Sequence, residues 1–130
     1  MRFVCLGYID EEVWASMSEA DANDFIDRCF TYDDELRRHG HMVGGEALQG
    51  PRSGVTVRKK DGKAYKTDGP YAETKEYLGG IMFLEANDLD HAVELMAKHP
   101  GVFERGCFEI RPAADLTEMI ELSEKRRGKV

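Results

Sequence analysis

The pattern of apolar and polar positions along the chain predicts six strands and three helices in mixed order. Residues 3–8 form a short apolar run that ends at three acidic residues, which is typical of a buried strand. A long helix follows, because Ser18 can cap its start and Gly40 can end it in a left-handed conformation. The apolar side chains of this helix recur at helical spacing and should face a core; they are Ala22, Phe25, Ile26, Cys29, Phe30 and Leu36.

The middle of the chain has four further strand patterns, which cover residues 41–49, 55–58, 64–67 and 78–86. The first is weakened at Gly44 and Gly45, where paired glycines indicate a bulge or a close approach by another backbone or a ligand. The two short patterns flank Asp61-Gly62, which favours a hairpin turn because both residues tolerate positive φ. The last pattern is apolar on both faces and predicts a strand that is covered on two sides.

The remaining third of the chain predicts a helix, a strand and a short terminal helix. Asp88 can cap the helix, which ends at Pro100. Residues 102–103 and 107–110 complete the strands, and Pro112 closes them. Apolar positions from Leu116 onward suggest an amphipathic C-terminal helix. The order of elements is therefore β-α-β, a hairpin, β-α-β and a trailing helix.

This order predicts an α+β fold, namely a ferredoxin-like split β-α-β arrangement with an inserted hairpin. Both long helices would cover one face of an antiparallel sheet and leave the other face open. Because residues 81–84 are apolar on both faces, the open face needs a cover, and a second copy of the chain is the economical source. We predict a homodimer with its sheets face to face, formed by residues 1–112. Residues 113–130 would add a C-terminal helix and a basic tail.

The composition of the chain disfavours some classes of binding partner. The 130 residues include 25 acidic and 18 basic residues, and a net charge of -7 disfavours general nucleic-acid or anionic-membrane binding. No run approaches the ~18 apolar residues of a membrane span, and the N-terminal run is too short for a signal peptide. The three cysteines lack metal or redox spacing, so we expect a reducing, cytoplasmic setting. No metal or cofactor motif occurs, and none is predicted.

Candidate catalytic side chains concentrate in residues 67–76, which follow the hairpin. Turn chemistry explains Gly69 and Pro70 without any function. Glu73 and Glu76 would face the same way if the segment were helical. Partly buried, they could divide acid and base roles; exposed, they would form a salt-bridged surface turn. The candidate catalytic residues are Asp68, Glu73 and Glu76.

Candidate ligand-binding residues are Glu46, Arg58 and Lys75. The first two belong to predicted strands, where alternation could point them into the space between two sheets. An arginine there could orient a carboxylate or phosphate through its fork, or a Glu-Arg pair could be purely structural. His39 and His99 lie at helix ends, where a charged histidine stabilises the helix without further function.

Residues 68–80, Asp-Gly-Pro-Tyr-Ala-Glu-Thr-Lys-Glu-Tyr-Leu-Gly-Gly, resemble the signature of the DGPF branch of the YCII-related family, with Tyr71 in place of the phenylalanine. The resemblance extends over roughly residues 2–112 and includes residues 44–49, 56–58, 88–90, 99–100 and 109–112. It implies a dimeric α+β barrel of largely uncharacterised function. Relatives in the wider family have been proposed as enzymes that use a His-Asp pair, with the histidine on the first helix. Because residues 18–38 contain no histidine, proton transfer would fall to Asp68 with Glu73 or Glu76.

Two functional hypotheses follow. In the first, the dimeric barrel binds a small polar or anionic molecule, either with acid–base catalysis or without it. In the second, the domain is a non-catalytic dimerisation or regulatory module, since some relatives are associated with transcription-factor systems of the extracytoplasmic sigma type.

Overall fold

The structure, a computed structural model, describes residues 1–129 and contains a four-stranded sheet beside a separate two-stranded hairpin. The strands are β1 (Arg2–Asp10), β2 (Met42–Ala47), β3 (Val55–Lys60), β4 (Lys63–Asp68), β5 (Glu76–Glu85) and β6 (Gly106–Pro112). The helices are α1 (Glu11–Ser16), α2 (Glu19–Arg38), α3 (Leu89–Ala97) and α4 (Thr117–Arg126). None of these helices is both long and apolar enough to cross a bilayer.

The main sheet has the strand order β2-β5-β1-β6, and every neighbouring pair is antiparallel. The strand β1 therefore lies between β5 and β6, the two strands of the second β-α-β unit. This order is that of the ferredoxin-like split β-α-β fold, with the β3–β4 hairpin inserted between β2 and β5. The predicted α+β fold class is confirmed.

One face of the sheet is packed against α2 and α3 and holds the core. Phe3 and Cys5 of β1 and Leu84 of β5 are fully buried. They pack against Leu36 of α2 and Met96 of α3, which carry the apolar stripes of those helices. The predicted stripe of α2 was wrong at one position, because the Phe30 side chain is 63% exposed.

The opposite face, called the open face below, carries the alternate residues of the same strands. Its centre consists of Val4, Leu6, Ile81 and Phe83, all of which are only half-buried. Its edges carry Glu46, in register with Ile81, and Glu109, in register with Leu6. Arg111 shares this face and forms an ion pair with Glu109. The strand β5 is thus apolar on both sides, as its sequence predicted.

Paired glycines in β2 mark both a bulge and a close backbone approach. The register between β2 and β5 shifts between Met42 and Gly44. A Cβ atom on Gly45 would lie 2.6 Å from the carbonyl oxygen of Ile81. This geometry confirms the interpretation of the two glycines. The strand itself ends at Ala47, two residues earlier than the pattern predicted, and a short 3-10 turn, Pro51–Ser53, follows.

Several local expectations are confirmed and others are corrected. The Ser18 hydroxyl oxygen accepts the Asp21 N–H and caps α2, and Asp61 and Gly62 take positive φ in the hairpin turn. Residues 102–103 do not form a strand; Phe103 makes only an isolated bridge to Gly106. The helix α1 was not predicted, because its six residues are too few to show a helical period.

Candidate functional site

The loop of residues 69–75 forms one wall of a cavity of about 320 Å³, called the acidic cavity below. The loop is not helical, so the arrangement that would have aligned Glu73 and Glu76 on one helix face does not form; Glu76 instead begins β5. Both carboxylates nevertheless line this cavity. Its lining consists of Tyr8, Glu11, Pro51, Arg52, Pro70, Tyr71, Ala72, Glu73, Thr74, Glu76, Tyr77 and Leu78.

A second cavity of about 310 Å³, called the aromatic cavity below, lies on the helical side of the same end of the sheet. Its floor is open because the strands present glycines there, at Gly7, Gly79 and Gly80. Rings from three separate segments form its walls. The ring centroids of Trp14 and Phe25 are 5.7 Å apart, and those of Phe25 and Phe103 are 5.5 Å apart, both edge to face. Phe108, His99 and Cys29 also line it.

Tyr8 and Tyr77 line both cavities, so the two spaces are neighbours around this pair. Their position follows from a bulge: the register of β1 against β5 shifts between Gly7 and Tyr8. A bulge adds a residue to one strand and re-aims the side chains beyond it. Beyond this point, the residues of β1 and β5 that line one or both cavities are Tyr8, Ile9, Glu76, Tyr77 and Leu78.

A buried carboxylate, Asp10, anchors the loop that walls the acidic cavity. Only 3% of this residue is exposed. Its side chain caps α1 by accepting the Glu12 N–H at 3.0 Å, and it accepts Arg105 Nε at 3.1 Å. Lys75 Nζ lies 3.7 Å from Asp10, and Arg105 also pairs with Glu12 at 3.0 Å. These bonds tie the loop, α1 and the segment before β6 into one corner.

A histidine–aspartate pair forms part of the structure, although not where the family resemblance placed its histidine. His99, just after α3, lies with its Nε2 atom 2.8 Å from Asp33 of α2. Its Nδ1 atom accepts the Gly101 N–H at 2.9 Å, so the ring proton lies on Nε2 and is donated to Asp33. With both nitrogens occupied, the ring presents only carbon atoms to the aromatic cavity. His99 lies at the end of α3, as expected, and its ring is buried and bonded on both sides.

The other predicted site residues lie apart from one another. Lys75 pairs with Asp10, and Arg58 donates from Nη2 to the Tyr71 carbonyl at 3.2 Å. Glu46 is exposed on the open face. Asp68, the last residue of β4, is exposed and lines neither cavity. The structure therefore brings together Glu73 and Glu76 but not the remaining members of the set.

Thiol and metal chemistry have little support at this site. Burial raises the pKa of Cys5 and of Cys29 to about 11, so both are neutral thiols at physiological pH. Cys107 is exposed, and partial burial followed by the nearby Glu76 and Glu109 raises its pKa as well. Within residues 1–129, no group of three or more candidate ligands is gathered around a point that could hold a metal ion.

Three comparisons relate the chain to known proteins. The family model described as YCII-related domain matches residues 1–117. An uncharacterised protein of Rhizobium meliloti (strain 1021) is 27% identical over 118 residues, which cover 88% of this chain and 93% of that protein. A solved structure of 5-chloro-2-hydroxyhydroquinone dehydrochlorinase from Burkholderia phenoliruptrix AC1100, in complex with 2,5-dihydroxybenzoquinone, has a TM-score of 0.51 and 15% identity. It covers 91% of this chain and 98% of its own, and the likeness concerns the fold alone.

Proposed function

The chain belongs to the YCII-related family, and from that premise we propose that it binds a small, largely planar organic molecule in the two cavities around Tyr8 and Tyr77. The observation that carries this proposal is the pairing of an aromatic cavity with a carboxylate-lined one at the same end of the sheet. Each cavity has a volume near the lower end of the 300–1,000 Å³ that is usual for ligand sites.

The chemistry of the walls favours a particular kind of ligand. Trp14, Phe25 and Phe103 offer ring faces and edges on which a flat conjugated molecule can pack. The described lining of the acidic cavity includes three acidic residues, Glu11, Glu73 and Glu76, and one basic residue, Arg52. Carboxylates accept hydrogen bonds and repel anions, so hydroxyl or amino groups suit this end better than a carboxylate or phosphate does. The proposal therefore narrows to a polar rather than an anionic ligand.

The solved structure of similar fold supports the same class of molecule, because its ligand is a hydroxylated quinone. A hydroxylated hydroquinone, the reduced and uncharged counterpart of that quinone, has a flat ring for the aromatic cavity and hydroxyl groups that can donate to carboxylates in the acidic cavity. If catalysis accompanies binding, its proton transfers fall to Glu73 or Glu76, which line the cavity. Asp68 lies outside both cavities and is not part of this proposal.

A homodimer is part of the proposed function. The open face leaves Val4, Leu6, Ile81 and Phe83 half-exposed in the described chain, and a second copy would remove them from water. The helix α4 also leaves apolar side chains exposed, among them Met119 and Ile120. We propose the dimer because the open face and α4 both leave apolar side chains exposed to water.

The single tryptophan of the chain makes the ligand proposal directly testable. Trp14 lines the aromatic cavity, so a bound quinone or phenol should quench its fluorescence. We expect saturable quenching by an uncharged hydroxylated ring such as hydroxyhydroquinone, after correction for light that the ligand absorbs, and weaker binding of 2,5-dihydroxybenzoquinone, which is an anion at neutral pH. Replacing Glu76 with Gln should weaken binding roughly tenfold, since it removes a charged hydrogen-bond acceptor.

The matched control is Glu46→Gln, which changes an exposed carboxylate outside both cavities. The Glu46→Gln protein should bind the ligand with the same affinity as the unaltered protein. Absence of saturable quenching across a panel of hydroxylated aromatic rings would contradict the proposal and favour the non-catalytic dimerisation module. If Glu76→Gln and Glu46→Gln weaken ligand binding equally, the acidic cavity is not part of the binding site.

A further inference from the structure

Asp10 lies beside two carboxylates of the acidic cavity without lining the cavity itself. Glu11 follows it in the chain, and Glu76 is its partner in the register of β1 against β5. Asp10 is buried, whereas Glu11 and Glu76 are exposed. A buried carboxylate needs a compensating cation or hydrogen bonds, because its charge is costly away from water.

The cations of this corner are directed at Asp10 and not at the cavity. Arg105 Nη2 lies 2.9 Å from Asp10, and Lys75 Nζ lies 3.7 Å from it. The same guanidinium pairs with Glu12, which is outside the cavity lining. Within residues 1–129, no ion pair reaches the three carboxylates that line the acidic cavity. Those carboxylates therefore face the cavity without a paired cation.

Lys75 is the cation that could serve the cavity instead. It lies between Thr74 and Glu76, both of which line the acidic cavity. Its own side chain lines a neighbouring cavity of about 510 Å³, which shares Tyr8, Thr74 and Glu76 with the acidic cavity. The side chain is 77% exposed, and its flexible stem can turn the amine to either side. The amine needs an anion to hold it, and the anion that holds it is Asp10.

We infer that Asp10 is a positioning residue that sets the charge preference of the acidic cavity. By holding Lys75, it leaves a lining of three carboxylates and one arginine, which accepts hydroxyl donors and repels anions. Without the charge on residue 10, the amine turns to the cavity and pairs with Glu76 or with an anionic ligand. The inference rests on the ligand site proposed above and names the residue, outside the lining, that selects the charge of the ligand.

Asp10→Asn and Asp10→Glu separate the charge of residue 10 from its shape. Asparagine keeps the size and capping ability of aspartate but not its charge, and glutamate keeps the charge but adds a methylene. Calorimetric titration under nitrogen measures the dissociation constants of 2,5-dihydroxybenzoquinone, the anion, and of hydroxyhydroquinone, the uncharged ring. We expect Asp10→Asn to lower the ratio of the first constant to the second about tenfold. Asp10→Glu should keep the ratio within about threefold of that of the unaltered protein.

Lys75→Met tests the same inference at an exposed position, where the change does not endanger folding. Because Asp10 holds the amine, this variant should bind both rings within about threefold of the unaltered protein. The Asp10→Asn/Lys75→Met protein has no amine to release, so its ratio should return to that of the unaltered protein. The control is Glu12→Gln, which removes the other partner of Arg105 and should leave the ratio unchanged.

Other outcomes would overturn the inference. If Asp10→Asn and Asp10→Glu change the ratio equally, packing at residue 10 is responsible and not its charge. If Lys75→Met alone weakens binding of the anion about tenfold, the amine already serves the cavity. If the double variant keeps the changed ratio, Lys75 is not the group that Asp10 restrains. If neither ring binds the unaltered protein, the ligand proposal falls as well, whereas binding with an unchanged ratio in Asp10→Asn removes this inference alone.

Discussion

Asp10 is a buried carboxylate whose role differs from that of the exposed carboxylates near it. Its bond to the Glu12 N–H holds its pKa below the usual aspartate range; burial opposes this shift, and Arg105 and then Lys75 add to it. A carboxyl group whose folded pKa is depressed stabilises the fold above its unfolded pKa, near 3.8. That stabilisation is lost as the pH falls through the lower, folded value.

The Asp10→Asn protein should therefore melt at a lower temperature than the unaltered protein at neutral pH. The difference should shrink as the pH falls below about 3.8, because protonated aspartate then resembles asparagine. Circular dichroism melts across this range measure both effects. Glu12→Gln is the control: Glu12 keeps its backbone N–H for the cap, and its exposed side chain makes one surface pair with Arg105. A larger loss of Tm in the control would contradict the role given to Asp10.

His99, which pairs with Asp33, lacks the free ring nitrogen that a catalytic histidine would need. Both of its ring nitrogens already have partners, one of them a backbone N–H. A general base needs a free lone pair within reach of the substrate proton. The pair therefore joins α2 to the segment after α3, and the carboxylates of the acidic cavity remain the candidates for proton transfer.

At the scale of elements, the glycines of β2 allow two strands to approach more closely than side chains would permit. A Cβ on Gly45 would lie 2.6 Å from the Ile81 carbonyl oxygen and 3.3 Å from the Met82 Cα. Both are backbone atoms of β5, so neither can move aside without separating the strands. We expect Gly45→Ala to lower the free energy of unfolding by about 1–3 kcal/mol.

The control for that prediction is Gly50→Ala. Gly50 has nothing within 4 Å of an added Cβ and has negative φ, so the free energy of unfolding should change by less than about 0.5 kcal/mol. Urea denaturation measures both values, and an unchanged slope would show that the denatured state is not altered. If Gly45→Ala proved as silent as Gly50→Ala, the close approach would not constrain the strand pair.

At the scale of the whole molecule, the open face should make stability depend on protein concentration. A homodimer that covers this face gains stability by mass action, so its Tm should rise with concentration. Phe83→Glu places a charge at the centre of the face and should abolish that dependence. Differential scanning calorimetry at several concentrations tests this.

Phe30→Glu provides the comparison for the dimer prediction. Phe30 is an equally large apolar residue, but it lies on α2, which packs on the opposite side of the sheet. Its replacement should leave the concentration dependence intact. A Tm that does not vary with concentration in the unaltered protein would contradict the dimer itself.

The sequence by itself determined the family and the order of the elements. The period of the apolar positions, the Ser18 cap and the Asp61-Gly62 turn each act within a few residues, so they can be recognised without a structure. The family prediction, carried by residues 68–80 and the segments that match with it, is confirmed by the YCII-related match. The sequence pattern did not predict the short helix α1, because its six residues are too few to show a helical period.

Only the tertiary structure decided which charged residues come together. The pairs Asp10–Arg105 and Asp33–His99 join positions 95 and 66 residues apart, and no local pattern encodes such distances. The same holds for the cavities, whose walls come from segments that are separate along the chain. Local residue patterns determine helices, strands and turns because those depend on nearby backbone hydrogen bonds. A site depends on where the folded sheet carries side chains that are distant along the chain.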